Sequence, residues 1–247
     1  MKVVIIGGSG LIGRKLGAIL QAQGHEIVAA SPSTGVDSVS GKGVAAALNG
    51  ADVVIDVANS PSFEELAVLE FFRRSTRNLL SAAESAGVAH YIALSVVGAD
   101  RLRDNAYLRA KRAQEELIEA SGVPYSILRA TQFFEFLDAI AADGTKGDVV
   151  YLSPYKFQPV AAADVAATLA NIATAAPRNG AIELAGPEAS SLAEFVQTYL
   201  SSKGDARKVI ADPDAEYFGA VLDKDGLAPV AQFIVGPTRL ADWARAT

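Results

Sequence analysis

Apolar and polar positions follow two alternating periods along this 247-residue chain. Residues 3–6 form an unbroken apolar run, as expected of a strand buried on both faces. Residues 11–23 carry Leu11, Ile12, Leu16, Ile19 and Leu20 at helical spacing, and Gly24 closes that helix. Further strands are predicted at 26–30, 35–39, 53–55, 91–94 and 125–128. Further helices are predicted at 44–48, 63–86 and 105–120, the last two ended by Gly87 and by Ser121-Gly122. Strands that alternate with helices imply βαβ crossovers, hence an α/β fold with a doubly wound parallel sheet. After residue 130 the pattern loosens. Helices at 133–142, 164–173 and 192–200 and short strands near 149–151 and 182–184 are interleaved with loops. The expectation is a core over residues 1–130 and a mixed part over 131–247. That second part would complete the sheet edge and form a small C-terminal substrate-capping region within a single structural unit.

The turn after the first strand carries the most specific chemistry. Gly7, Gly10 and Gly13 are spaced GxxGxxG, with Gly8 as an extra glycine, and the motif follows a buried strand and opens an amphipathic helix. Glycines permit the tight turn and let backbone N–H groups approach a pyrophosphate, while the helix N-terminus favours negative charge. Gly7, Ser9, Gly10, Leu11, Ile12 and Gly13 are therefore the expected dinucleotide contacts. An NAD site usually places a carboxylate at the end of the second strand, to hold the ribose diol. Here that strand runs into Ser31-Pro32-Ser33-Thr34, and no acid appears before Asp37. Ser31, Ser33 and Thr34 are expected to donate hydrogen bonds to a 2′-phosphate, with Arg14 as the nearby cation. NADP(H) is the preferred cofactor on this reading and NAD(H) the alternative.

Composition narrows the class. The chain has no cysteine, which removes disulfides, zinc thiolates and cysteine nucleophiles. A net charge of -6 argues against nucleic-acid and anionic-membrane partners. No apolar stretch reaches the ~18 residues needed to span a bilayer, and the N-terminus shows no signal-peptide pattern. A cytoplasmic protein with a small-molecule substrate is expected. Asp52 and Asp56 lack metal-ligand spacing, so no metal is expected.

Tyr107 and Lys111 lie four residues apart on a predicted helix, hence on one face. An ammonium beside a phenol lowers the phenol pKa and makes it usable for proton transfer. Ser95 follows a predicted strand, where a hydroxyl could meet a substrate carbonyl. With the glycine turn, these three residues resemble the short-chain dehydrogenase/reductase superfamily. The resemblance implies a Rossmann core in which Ser95 orients a carbonyl, Tyr107 is the general acid/base, and Lys111 holds the ribose and tunes Tyr107. The finer resemblance is to the NmrA-like, atypical branch. Its carriers are Gly7–Gly13, Ala93-Leu94-Ser95-Val96-Val97-Gly98, Lys111 with Glu115, residues 121–129 ending in Leu128-Arg129, Thr131-Gln132-Phe133-Phe134, Pro159-Val160 before Asp164-Val165-Ala166, and Ala185-Gly186-Pro187-Glu188. They span residue 3 to about 190. The chain departs from that branch in lacking a basic residue after the second strand.

The resemblance implies an NADP(H)-dependent oxidoreductase reducing a small carbonyl or quinone, as monomer or homodimer. The alternatives are a nucleotide-sugar epimerase or isomerase and a non-catalytic NADP(H)-binding redox sensor. It also places Ala58 and Asn59 beside the cofactor, while Ser60 or Ser62 opens the helix that follows. Gln132, Phe133 and Phe134 are candidate substrate contacts, with helix core as the competing reading. His25 and His90 read as loop residues. Arg101, Arg103, Arg109 and Arg112 read as a solvated face paired with Asp100, Asp104, Glu115 and Glu116. Asp164 reads as a helix cap.

Overall fold

The structure is a computed structural model and describes residues 1–102, 105–225 and 227–246. The chain divides into two compact units. The first holds residues 1–129 and 165–182, and the second holds 130–164 and 183–247. The fold is α/β with a parallel sheet flanked by helices, the doubly wound class that the alternation of strand and helix implies.

In the first unit the elements run β1 (Lys2–Ile6), α1 (Leu11–Ala22), β2 (Glu26–Ala30), α2 (Val44–Leu48), β3 (Val53–Asp56), α3 (Glu65–Ala86), β4 (His90–Val96), α4 (Ala106–Glu119) and β5 (Tyr125–Ala130). The strands lie in the order β5-β4-β3-β1-β2. Strand β1 pairs in parallel with both β2 and β3, and β3 pairs in parallel with β4. The connection from β1 leads to one side and that from β2 returns to the other, so the order reverses between β1 and β3. Ligands of such sheets bind beyond the carboxyl ends of the strands at that reversal.

Burial explains the layers. Val3, Val4 and Ile5 of β1 and Val54 and Ile55 of β3 are fully buried, as a strand covered on both faces requires. Helix α3 buries Val68, Phe72, Leu79, Leu80 and Ala83, one apolar stripe. Helix α4 is different. Its buried face consists of Leu108, Ala110, Lys111, Gln114, Glu115 and Ile118, half of them polar or charged. Charged residues are rarely buried unless paired, and Lys111, Gln114 and Glu115 each have bonded partners.

Two expectations change. Residues 35–39 form no strand; a short 3-10 turn at Pro32–Thr34 leads into a loop that folds on itself. Gly35, Gly41 and Gly43 adopt positive φ, and the Asp37 carboxylate accepts the N–H groups of Val39 and Ser40, geometry that no extended strand supports. The helix expected at 133–142 is a 3-10 turn, Phe134–Phe136, followed by the helix Leu137–Asp143. Phe133 is held instead in a parallel bridge to Val160.

In the second unit Val149–Leu152 pairs in parallel with Lys208–Ala211 and antiparallel with Thr145–Lys146. Phe233–Val235 pairs in parallel with residues 183–185. The helix Leu192–Ser202 opens with a capping box between Ser191 and Glu194. The core of this unit is aromatic: Phe134 stacks on Phe195, Trp243 lies tilted against Phe134, and Phe157 meets Phe195 edge-on. Among the described residues, no helix is long and apolar enough to cross a membrane.

Candidate nucleotide site and its buried polar helix face

Gly7 leaves β1 with φ +81°, and its N–H donates to the Ala30 carbonyl at 2.9 Å. A side chain on Gly7 would lie 2.8 Å from the Ala58 nitrogen, so the segment after β3 passes against the turn. A Cβ on Gly8 would lie 2.7 Å from Ala29 Cα, and one on Gly13 would overlap the Gly7 carbonyl oxygen. The turn is therefore a place where three backbones touch. Helix α1 begins after Gly10 with no side chain capping it, and Ser9 and Gly10 are exposed. Uncapped N–H groups at an exposed helix start are what a pyrophosphate needs, so the residues fit the expected dinucleotide. Arg14 donates to the Ser9 carbonyl at 2.6 Å and braces the turn from the side.

The Ser31–Thr34 turn sits at the end of β2. Thr34 Oγ1 accepts the Ser31 N–H at 2.9 Å, and the Ser31 and Ser33 hydroxyls bond each other at 2.8 Å. Ser33 and Thr34 are exposed and Ser31 is buried. Asp37, the first acid after β2, spends its carboxylate on Val39, Ser40 and the Ser40 hydroxyl. Those contacts, the Ser40 hydroxyl first, hold it below the ordinary carboxylate range. It is folded into its own loop.

Lys111 is 3% exposed. Its ammonium donates to the Leu94 carbonyl at 2.8 Å and to Gln114 Oε1, and lies 4.3 Å from the centre of the Phe72 ring. Burial pulls this amine down to about 8, opposed by the nearby charges of Asp56 and Glu115. Tyr107 packs against Phe63 at 5.7 Å and Phe72 at 6.0 Å between ring centres. Burial pushes its phenol well above the ordinary range. Spacing alone led to the opposite expectation, that Lys111 lowers that phenol. Instead the ammonium is directed at Leu94 and Gln114 and shares its charge with two carboxylates.

Ser95 is buried, and its hydroxyl donates to Glu115 Oε1 at 2.6 Å. Glu115 also accepts from Arg112 and twice from Arg129, which reaches on to Asp100 at 2.6 Å. The structure thus brings Tyr107 and Lys111 to Phe72, and directs Ser95 into an ion network. Arg112 pairs with Glu115, Glu116 and Glu119, Arg101 with Asp100, and Arg109 with Glu65. Arg103 and Asp104 lie outside the described residues.

Sequence reasoning missed Asp56 and Gln114. Asp56 is buried at the end of β3; it accepts the Ala58 N–H at 3.1 Å, the Tyr91 hydroxyl at 3.1 Å and Gln114 Nε2 at 2.9 Å. Burial raises its carboxyl and Lys111 opposes the rise. Asn59 is exposed and accepts the Ser60 N–H, while Ser62 accepts the N–H of Glu64 just before α3. His90 opens β4 rather than a loop, and its Nε2 bonds the Ser126 hydroxyl at 2.8 Å. In the second unit Phe134 is a core residue. Gln132 and Phe133 are only half-buried, yet Gln132 Oε1 and the Thr131 hydroxyl are enclosed with no partner among the described residues. Asp164 accepts the N–H and hydroxyl of Thr238, tying two segments together, whereas Glu135 caps the Ala162 N–H. Among the described residues no cluster of His, Cys, Asp or Glu is arranged to hold a metal ion.

The depressed Lys111 has a measurable consequence. Between pH about 8 and 10.5 the unfolded chain keeps a proton on this lysine that the folded chain has released. Stability therefore rises with pH across that window, by up to about 1.4 kcal/mol per pH unit. Urea unfolding at pH 7.5 and 9.5 is expected to show this rise in wild type and its loss in Lys111→Met. An equal rise in both proteins would place the titrating group elsewhere.

A family model described as NAD(P)H-binding matches residues 7–176. The photosystem II assembly factor Ycf39 of Cyanophora paradoxa is 23% identical over 151 residues, 56% of this chain and 47% of that protein. The chain spans about half the length of the curated relatives it matches, 47% and 46% of two of them. Solved structures are similar along nearly the whole chain. The dTDP-4-dehydrorhamnose reductase of Bacillus anthracis str. Ames, in complex with NADP, is 16% identical with a TM-score of 0.73 and coverage of 99% of this chain and 96% of that one. The UDP-glucose 4-epimerase of Thermus thermophilus, in complex with NAD, is 19% identical with a TM-score of 0.68 and coverage of 94% and 95%. At these identities the likeness establishes the fold.

Proposed function

For a chain that belongs to the NAD(P)H-binding family, we propose an NADP(H)-dependent oxidoreductase that reduces a small carbonyl or quinone, with Tyr107 as proton donor and Lys111 as its neighbour toward the nucleotide. The observation that carries the reading is on α4, where the partly buried Tyr107 and the enclosed ammonium of Lys111 meet the same Phe72 ring. The bound nicotinamide would supply the hydride. Tyr107, held protonated by burial, is suited to donate to the oxygen of an acceptor that has just been reduced. Two of the three Lys111 donors are spent on Leu94 and Gln114, which leaves one for a ribose hydroxyl. The Ser95 hydroxyl donates its hydrogen bond to Glu115, so on this reading it braces β4 against α4 instead of orienting the carbonyl. The Thr34 hydroxyl donates to the Ala29 and Ser31 carbonyls and the Ser31 and Ser33 hydroxyls bond each other, so preference for NADP(H) rests on Asp37 being committed to its own loop, with no acid in the Ser31–Thr34 turn itself. The NADP complex of the Bacillus anthracis reductase is compatible with it.

The test is NADPH oxidation with a panel of quinones and ketones. Wild type is expected to turn over at least one acceptor. Tyr107→Phe is expected to lose about a hundredfold in rate while its NADPH affinity stays within about twofold of wild type. Binding without turnover by both proteins would favour the sensor reading. Interconversion of a nucleotide sugar with no net NADPH consumption would favour the epimerase reading. Equal affinities for NADH and NADPH would remove the support that the Ser31–Thr34 turn lends to NADP(H).

A further inference from the structure

One carboxylate connects the two halves of the proposed site. Asp56 Oδ1 accepts the Ala58 N–H, and Ala58 lies on the segment whose backbone a Gly7 side chain would strike. Asp56 Oδ2 accepts Gln114 Nε2. That bond fixes which end of the Gln114 amide faces Lys111, because an amide that donates from nitrogen must present its oxygen on the other side. Gln114 Oε1 then accepts from the ammonium. Strand β3, the segment after it, and α4 are thus joined through two side chains, both almost fully buried. A buried carboxylate is retained at such a cost only when its bonds are satisfied, and here Tyr91 supplies a further donor.

We propose that Asp56, acting through Gln114, is the residue that positions Lys111 toward the nucleotide and holds the Val57–Asn59 wall of the cradle against Gly7. The proposal rests on the reading that Lys111 faces the nucleotide. The charged and titratable groups around Lys111 are Asp56 from β3, Glu115 and Tyr107 from α4, and Tyr91 from β4 through Asp56; α3 contributes the neutral Phe72 ring. Glu115 spends its two oxygens on Ser95, Arg112 and Arg129, so Asp56 is the anion with a bonded path to the amine. Its isosteric replacement by asparagine removes that charge and, with the amide oxygen kept on the Ala58 N–H, places an N–H donor opposite Gln114 Nε2. Gln114 must then turn its amide and point a donor at the ammonium.

The experiment reads Lys111 directly, by NMR of its 15N-labelled Nζ across pH, together with NADPH titration. In wild type the midpoint is expected near pH 8. In Asp56→Asn it is expected to fall by at least about one unit, and NADPH affinity by about tenfold. The double variant Asp56→Asn/Gln114→Glu puts one negative charge beside the ammonium, and the asparagine amide donates to the introduced glutamate carboxylate. It is expected to recover both readouts. A midpoint and an affinity left unchanged by Asp56→Asn overturn the proposal, and so does a folded double variant that recovers neither. If Asp56→Asn does not fold, Gln114→Met cuts the same path with the charge in place; unaltered NADPH affinity in that variant is then the overturning result. Absence of turnover in wild type would sink the oxidoreductase reading and leave these two readouts to decide the positioning role.

Discussion

Glu115→Ala is expected to destabilise the protein by about 3–5 kcal/mol, the usual cost of removing one partner from a buried ion pair. Glu115 has no exposed surface. Its oxygens accept from the Ser95 hydroxyl at 2.6 Å, Arg112 at 3.0 Å, and Arg129 at 2.9 and 2.7 Å. The Arg129 side chain is only 11% exposed. Without Glu115 it keeps Asp100 alone among its described partners, and Ser95 loses its acceptor inside the core. The desolvation cost of these groups then has nothing to offset it. At ~2–4 °C per kcal/mol for a chain of this size, a fall in Tm of about 10 °C is expected. Arg112→Ala gives the contrast. Arg112 also pairs with the more exposed Glu116 and Glu119, and pairs screened by solvent contribute at most about 1 kcal/mol. Urea unfolding of the two variants side by side tests the assignment. A Glu115→Ala loss no larger than that of Arg112→Ala would show that the network is not what holds β4, β5 and α4 together.

The same helix shows what the sequence could and could not reveal. The strands of the first unit were legible because parallel strands covered on both faces read as continuous apolar runs, as Val3–Ile6 and Val53–Ile55 do. The glycine turn was legible because its glycines sit between such a strand and an amphipathic helix. Residues 35–39 misled because Val36 and Val39 invite a strand, while positive φ at Gly35 and Gly41 and the Asp37 loop contacts leave no trace in hydropathy. On α4 the i,i+4 spacing revealed Tyr107 and Lys111, and it led to no partners for them. Asp56 is 58 positions from Gln114, a separation only the sheet order closes. One signal was available. Leu108, Lys111, Glu115 and Ile118 share a helical face, so the apolar members imply that the charged ones are buried with them. Assigning Glu115 to the solvated arginine face was the error, and it hid the acceptor that directs Ser95.

Two glycines in α1 are expected to respond to the same substitution with opposite sign. Gly13→Ala would place a methyl group into the Gly7 carbonyl oxygen, 2.6 Å from Gly8 Cα and 2.8 Å from the Gly8 carbonyl carbon. All three neighbours are backbone of the turn itself, so relief requires α1 to lift from β1 or the turn to open. Either movement displaces the uncapped N–H groups at the helix start, where the pyrophosphate would sit. The expected result is a stability loss at or above the ~1–3 kcal/mol typical of overpacking, with NADPH affinity lowered by about a hundredfold or more. Gly17→Ala meets only the tips of Ile5 and Ile27, at 3.7 and 3.8 Å, which is ordinary contact. Alanine is favoured over glycine inside a helix by up to ~1 kcal/mol, so this variant is expected to be neutral or more stable, with NADPH binding unchanged. Thermal unfolding and NADPH titration of both variants separate the two roles. If Gly13→Ala bound NADPH as well as Gly17→Ala did, close backbone approach at the turn would not be what the nucleotide site requires, and helix propensity alone would explain both results.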